Sequence, residues 1–553
     1  MAAAALLAPT PAGAVPSVVL QLANGQDAGP QSEYGGPGQE QPTSVWVEDG
    51  GKIYVVTIYM SSKVSGDDGP WQCKCSSVEL SSDAAPTIVA DQVQLTKNNG
   101  DRPCNHPKAA SNGKSVVWLY GTDTNNANTQ TYVSAVDHMC QPIMEPKKIS
   151  ANNNNNEGAP DIAYNGENYF TGGYLSTGEN DISIAVGLHL VDLGGGQVTV
   201  EKTYSKNVVT PANIGRPTIT AASPDRSLFC AAKGNNRPPE EGVQCAWMDA
   251  ITGDIMFKQI IAPSQPGQKI YMNQPTVMTL ENNYFALHVL ESSGEGKTNN
   301  KKGSNTAHDY IITPGADAFV IAAHEVGLGN YPTHSSICSG AYGPDGEVHF
   351  ASFGAAVTGN GQPLLQFFRY VNSIESDPTH NTWVAGWYAD SGKLANLYGA
   401  NPNTQGRDFL RCTGDIPNPG FGQPNGFLPS VKTFFAVPHA GRIPGEEKNS
   451  QWLTFVPGWT SEPITADPPA DVKDVKLGPQ GQDPVDSNPP DPSDPSDPAP
   501  TDPPPDDDNG STITPTTQSA CSLSASSSRD SNGLAWVGLG LGLALAARRR
   551  KGA

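Results

Sequence analysis

The chain has no amphipathic helix of useful length and no basic face before its last six residues. The first absence points away from helical and α/β architectures, whose helices announce themselves by a 3.6-residue apolar period. The second excludes nucleic-acid binding, which needs Lys and Arg to neutralise phosphates. Only 34 basic residues stand against 55 acidic ones, for a formal net charge of -21. Hydrophobic residues make up 37% of the chain, which is low for a globular domain. That shortfall is local. Residues 462–510 hold fourteen prolines and thirteen acidic residues against two lysines, and the remaining body is long enough to bury a large core.

Catalytic signatures are scarce as well. The ten histidines form no HExxH or paired spacing, so no metal is expected, and there is no GxSxG elbow or P-loop, so no cofactor is expected. Asp67-Asp68-Gly69 and residues 123–128 offer oxygen ligands without EF-hand spacing. Cys73-Lys74-Cys75 is not a CxxC motif, and both cysteines are expected to find disulfide partners elsewhere. Nine cysteines occur, eight in the body and one, Cys521, in the tail. An even body count fits disulfides in an oxidising compartment, with about 105 connectivities open to eight cysteines. Cys230 and Cys245 lie on two β-like runs joined by a polar loop and form the favoured pair.

The body, residues 15–460, carries an imperfect repeat. Units begin at Pro42, Pro107, Pro160, Pro217 and Pro275, and a degenerate sixth at Ser335. Each reads as a short strand, a turn and an aromatic-bearing strand. The turns are Gly50-Gly51, Asn112-Gly113, Asn165-Gly166, Pro224-Asp225, Asn282-Asn283 and Asp345-Gly346, residues that tight hairpins select. Further strand-like runs lie between the units. Four strands per repeat, six or more times, is the pattern of a β-propeller. The expected fold is therefore all-β, a head of six or seven blades. Residues 396–460 supply a last blade, and a strand near Val15–Leu22 pairs with one near Trp452–Phe455 to close the ring. A chain of β-sandwiches is the runner-up.

The two ends set an address. Residues 1–14 are small and apolar and end in Ala12-Gly13-Ala14, like the back half of a secretory signal peptide, although the basic n-region is missing. Residues 461–518 form a Pro/Asp-rich, then Ser/Thr-rich linker expected to be extended and disordered. Residues 519–553 bring Cys521 in a small-residue context, an apolar run at 534–547, and Arg548, Arg549, Arg550 and Lys551. The run is shorter than the ~20 residues of a comfortable transmembrane helix, and the basic cluster would be held on the cytoplasmic side. This trio resembles the MYXO-CTERM sorting domain. The resemblance implies a membrane protease that recognises the segment, cuts near Cys521 and leaves the protein attached at a bacterial cell surface. An ordinary tail anchor is the alternative. The expected localisation is therefore exported and surface-anchored, with membrane association through the C-terminal segment.

In a propeller the innermost strand of each blade starts near one mouth of the central channel. The residues before the recurring prolines are Gln41, His106, Ala159, Arg216 and Gln274, with Asn105 and Asn273 one step earlier. Gln41, His106, Arg216 and Gln274 are the candidate ligand-binding residues, since amides, imidazole and guanidinium can hydrogen-bond a sugar or a protein. Capping strand ends is the bland alternative for all of them. No repeat carries the Ser-x-Asp-x-Gly-x-Thr-Trp turn of sialidases; Ser223-Pro224-Asp225 is a partial echo, and Asp161 is the acidic residue nearest the mouth. The head thus reads as a non-catalytic module for glycan or protein ligands. The competing reading, a glycan-active hydrolase or lyase, requires paired carboxylates in one cleft.

Overall fold

Gly50 and Gly51 take positive φ at 58° and 77°, the mirror-image turn that matches strand twist, and they join two long strands into a hairpin. The same chemistry recurs at Gly113 (φ 86°) and Gly166 (φ 97°). Asn112 holds its turn by accepting the backbone N–H groups of Lys114 and Ser115 on Oδ1 at 3.0 and 2.7 Å. In the computed structural model the described residues are 18–27, 39–62, 71–96, 104–122, 129–150, 156–177, 182–194, 197–209, 217–233, 242–261, 270–279, 285–293, 305–314 and 320–327. They continue with 335–342, 348–357, 363–372, 382–389, 413, 416–427, 429, 431–441, 448, 450–460, 472–474 and 481–482. Asn282-Asn283 and Asp345-Gly346 lie outside them, as do the expected signal peptide, the transmembrane run at 534–547, Cys521, and Arg548, Arg549 and Arg550. Among the described residues no helix is long and apolar enough to cross a membrane.

Strand β1 (Val18–Ala23) precedes blade one, made of β2 (Gln39–Asp49), β3 (Lys52–Ser62), β4 (Trp71–Leu80) and β5 (Thr87–Gln94). Blade two is β6 (Cys104–Ser111), β7 (Val116–Thr122), β8 (Thr131–Val136) and β9 (Pro142–Lys148). Blade three is β10 (Asn156–Gly166), β11 (Tyr169–Thr177), β12 (Ile182–Gly194) and β13 (Gln197–Val209). Blade four is β14 (Pro217–Ser223), β15 (Arg226–Lys233), β16 (Gly242–Asp249) and β17 (Ile255–Ile261). Blade five is β18 (Ile270–Thr279), β19 (Phe285–Ser293), β20 (Asn305–Ile312) and β21 (Val320–Gly327). Blade six is β22 (Ser335–Tyr342), β23 (Val348–Val357), β24 (Pro363–Asn372) and β25 (Thr382–Ala389). Blade seven holds β26 (Ile416–Pro417), β27 (Val431–Gly441) and β28 (Ser450–Thr460), and takes β1 as its outer strand.

These seven antiparallel sheets form a β-propeller. The first strands touch in succession from β2 through β6, β10, β14 and β18 to β22, and both β2 and β22 touch β27 and β28. The ring closes where the sequence places the closure: Val18 pairs with Phe455, Leu20 with Leu453 and Gln21 with Trp452. Strands β1 and β28 must therefore meet before the seventh sheet is complete.

The core lies between blades. Val47, Val56 and Ile58 of blade one pack with Trp118 and Tyr120 of blade two, and Phe170 and Leu188 of blade three pack with Leu119 and Val133 of blade two. Phe229 of blade four sits fully buried with Ala163 and Leu175 of blade three. Burying such a ring contributes about 2–3 kcal/mol. Its place depends on Gly173 in β11, where a Cβ would collide with the Phe229 ring.

Three disulfides among the described residues reinforce the sheets. Cys230–Cys245 joins directly opposed residues of β15 and β16, the pairing expected from the sequence. Cys73–Cys104 and Cys75–Cys140 both staple blade one to blade two.

One expectation needs correction. The segment from residue 461 was expected to be disordered throughout, yet β29 (Val472–Asp474) pairs with β21 and β30 (Gly481–Gln482) pairs with β17. The reason is local. No proline interrupts residues 470–478, so backbone N–H groups there remain available to an open sheet edge. Between Pro479 and Pro484 a second short stretch does the same.

Candidate functional site

Proline cannot donate to a ladder, and the recurring prolines of blades one, two, three and five sit in a bulge of the inner strand, a bulge that blade six carries at Ser339-Gly340 without one. In blade one Glu40 opposes Met60 and Thr43 opposes Ile58, leaving Gln41 and Pro42 as the bulge. The same three-against-two register holds at Asn105/Lys108, Gly158/Asp161, Asn273/Thr276 and Cys338/Ala341. In blade seven the Thr413 N–H donates to Ala436 O at 3.1 Å, the Ala436 N–H donates to Thr413 Oγ1 at 2.9 Å, and Ile416 opposes Phe434.

The bulge sets the candidate ligand residues. Gln41 and His106 both take left-handed backbone, with φ of 49° and 53°, at about 1–3 kcal/mol of strain each. They are joined: the His106 backbone N–H donates to Gln41 Oε1 at 3.1 Å across the seam. Gln41 is 2% exposed and His106 half-buried. Ala159 and Gln274 occupy the equivalent bulge positions of blades three and five by backbone register. Arg216 lies outside the described residues, immediately before β14.

The residue after each proline has a role that the sequence reading missed. Thr43 Oγ1 accepts the Ala109 N–H at 3.3 Å, and Thr218 Oγ1 accepts the Val277 N–H at 3.2 Å. Asp161 does the same with Ile219, Oδ2 accepting at 2.8 Å from a carboxylate only 4% exposed. Each bond ties one inner strand to the next blade. The recurrence of Pro-Thr or Pro-Asp at Pro42, Pro160, Pro217 and Pro275 was the available signal. Ser223-Pro224-Asp225, the partial sialidase echo, is a hairpin turn in which Ser223 Oγ donates to Asp225 Oδ1 at 2.7 Å.

A second staple joins blades three and four on the turn side. Asn165 Nδ2 donates to Ser223 O, Arg226 O and Ser227 Oγ at 3.1, 3.1 and 2.9 Å, while Thr171 donates to Asn165 Oδ1 at 2.7 Å. Clearly shifted pKa values fall on the second, third and fourth strands of the blades, away from the innermost ones. Burial raises the Tyr59 and Tyr204 phenols and lowers the Lys74 amine. At Asp249 burial pushes upward, but the backbone N–H groups of Thr252 and Ile251 and the Arg226 guanidinium outweigh it and hold the carboxyl below its ordinary value. Among the described residues no group of three or more His, Cys, Asp or Glu could hold a metal.

Fold and register together define a seven-bladed β-propeller with polar groups at its inner-strand starts. No known family model and no curated protein matches the chain. Solved structures of similar architecture include the α-L-arabinanase of Penicillium chrysogenum complexed with arabinobiose, at 12% identity over 64% of this chain and 93% of that one, TM-score 0.35. The Trypanosoma rangeli sialidase matches at 9% identity over 81% of this chain and 60% of that one, TM-score 0.37. The six-bladed fucose-recognising lectin of Aleuria aurantia matches at 11% over 63% and 95%, TM-score 0.30.

Proposed function

We propose that this protein is exported, carried to a bacterial surface by its MYXO-CTERM-like tail, and that its head binds a glycan or protein ligand there without catalysis. The observation that carries the binding reading is the seam at Asp161. The one carboxylate among the described side chains at the inner-strand starts is buried and accepts a backbone N–H of the next blade. A glycosidase needs an acid and a partner carboxylate facing one substrate, about 5–10 Å apart. What the described bulges hold instead is the buried Gln41 amide, bonded to the His106 N–H, and the half-buried His106 imidazole, a group that can hydrogen-bond hydroxyls and peptide. The head also supports display: its disulfides fit an oxidising compartment.

The test is a glycan array and a polysaccharide hydrolysis screen on the purified protein made in an oxidising compartment. Binding without turnover is expected, weakened by His106→Asn, which keeps the left-handed backbone but removes the imidazole. Turnover of any polysaccharide would overturn the non-catalytic reading. For the tail, mass spectrometry of the protein from its native surface should find the residues beyond Cys521 removed. An intact C-terminus there would sink the sorting-protease reading.

A further inference from the structure

Blade five carries ionisable residues at a level where the four blades before it are apolar. In blade one Thr43, the residue after the proline, opposes Ile58, and Ile58 opposes Cys75. The same level holds Leu119 and Val133 in blade two, Gly173 and Ala185 in blade three, and Cys230 and Cys245 in blade four. All of these second- and third-strand residues are buried. In blade five the level runs from Thr276 to His288, Asp309 and His324, and then to Asp474 on the appended strand β29, each directly opposite the next. We propose that His288, Asp309 and His324 bind a divalent transition metal of the zinc class between blades five and six.

The placement follows from the ladder. Directly opposed residues of antiparallel strands share one face of the sheet. Leu287 and Val289 pack on blade four. His288, between them, therefore stands on the other face, toward blade six, whose strand β22 touches β19. The His288 side chain is 1% exposed. Asp309, His324 and Asp474 are placed by backbone register, so the row lies beyond the described side chains, among which no group could hold a metal.

Burial sets the chemistry. A buried carboxylate or imidazolium is costly unless it is paired or metal-bound. One carboxylate between two histidines on neighbouring strands is a two-nitrogen, one-oxygen donor set of the kind zinc takes. Opposed positions lie about 4.5–5.5 Å apart, so the three ligands span about 10 Å. An ion over the central Asp309 is then one strand spacing from each histidine. An imidazole and a metal–nitrogen bond of about 2.0–2.1 Å cover that step.

Asp474 occupies the place beyond His324, where a carboxylate can accept the second ring N–H of a ligating histidine and fix its tautomer. The ion would tie β19, β20 and β21 together at the level where blade four uses the Cys230–Cys245 bond. No short motif announces the set, because its ligands come from three separate strands.

The experiment uses the full-length protein made without a histidine tag, stripped with a chelator and dialysed. It is titrated with Zn²⁺ by calorimetry and with Co²⁺ by visible absorption. One ion per chain is expected, with Co²⁺ giving the d–d bands of a nitrogen–oxygen site. His324→Gln, with circular dichroism like the wild type, should lose saturable Zn²⁺ binding, and Asp474→Asn should weaken it by about 10–100-fold. A folded wild type that binds no Zn²⁺ would overturn the inference. So would binding unchanged in folded His324→Gln, which puts the ion elsewhere. Should that variant fail to fold, diethylpyrocarbonate labelling of the wild type decides: Zn²⁺ is expected to protect His324, and equal labelling with and without the ion would sink the site.

Discussion

Gln41 and His106 lie sixty-five residues apart in sequence, yet the His106 N–H donates to Gln41 Oε1 at 3.1 Å, and both hold left-handed backbone, φ 49° and 53°. Two strained residues from adjacent blades thus meet through one hydrogen bond. Gln41→Ala removes the acceptor and leaves a backbone donor at the seam without it. A loss of about 1–3 kcal/mol in guanidinium unfolding is expected. No change in the denaturation midpoint would show that the seam does not depend on this bond.

Asp161 separates a structural carboxylate from a catalytic one. Asp161→Asn keeps an oxygen facing the Ile219 N–H and should retain most of the stability, whereas Asp161→Ala should lose about 1–3 kcal/mol more. Ligand binding should survive Asp161→Asn. Loss of a hydrolytic activity in that variant, with the fold intact, would instead assign Asp161 to chemistry.

The two bridges between blades one and two close loops of 31 and 65 residues, against 15 for Cys230–Cys245. In the chain-entropy view each longer bridge stabilises by about 4 kcal/mol and the shorter by about 3. Removing Cys75 and Cys140 together should lower the unfolding midpoint more than removing Cys230 and Cys245. Trp118 packs among the cysteines of the first seam, so its fluorescence should report loss of the Cys75–Cys140 bridge and stay quiet for the other.

Gly173→Ala places a methyl against the Phe229 ring, and overpacking of this kind costs about 1–3 kcal/mol. Adding Phe229→Leu should recover part of that loss on top of its own cost. A double variant whose destabilisation is the plain sum of the two singles would mean the ring and the glycine do not meet.

The acid limb of stability should respond to Asp249. Its carboxyl is held below the ordinary value of 3.8, so the folded state favours the charged form. The resulting stability is full above that ordinary value and is lost as pH falls through the lower, folded one. Asp249→Asn should therefore differ from wild type at neutral pH and converge with it in strong acid. Parallel curves across the acid range would remove this carboxylate from the account.

Much of the ring was legible because its local chemistry repeats. Gly50-Gly51 and Asn112-Gly113 can turn where other residues strain, and the prolines mark the inner strands of blades one to five. The partner strands of the closure were readable as apolar runs, and Cys230 with Cys245 as neighbours on one hairpin. What stayed hidden depends on contacts between blades. Pro-Asp at 160–161 belongs to a recurring pattern, but the pattern does not name Ile219 as the partner, since that bond exists only once two sheets pack. Cys73 and Cys75 find different partners on one neighbouring blade for the same reason. Strands β29 and β30 were obscured by their setting, because a composition dominated by Pro and Asp masks two short stretches able to pair.

Those two strands decide how tension enters the head. After blade seven the chain runs back to the outer edges of blades five and four, where β29 spans three residues and β30 two. A pull on the chain beyond residue 482 meets β30 first, then β29, and reaches β28 only after both have peeled away. Short ladders unzip at low force, one hydrogen bond at a time. The closing pair of β1 with β28 therefore sits behind two mechanical fuses, and slack released at the rim absorbs a jolt before the ring feels it.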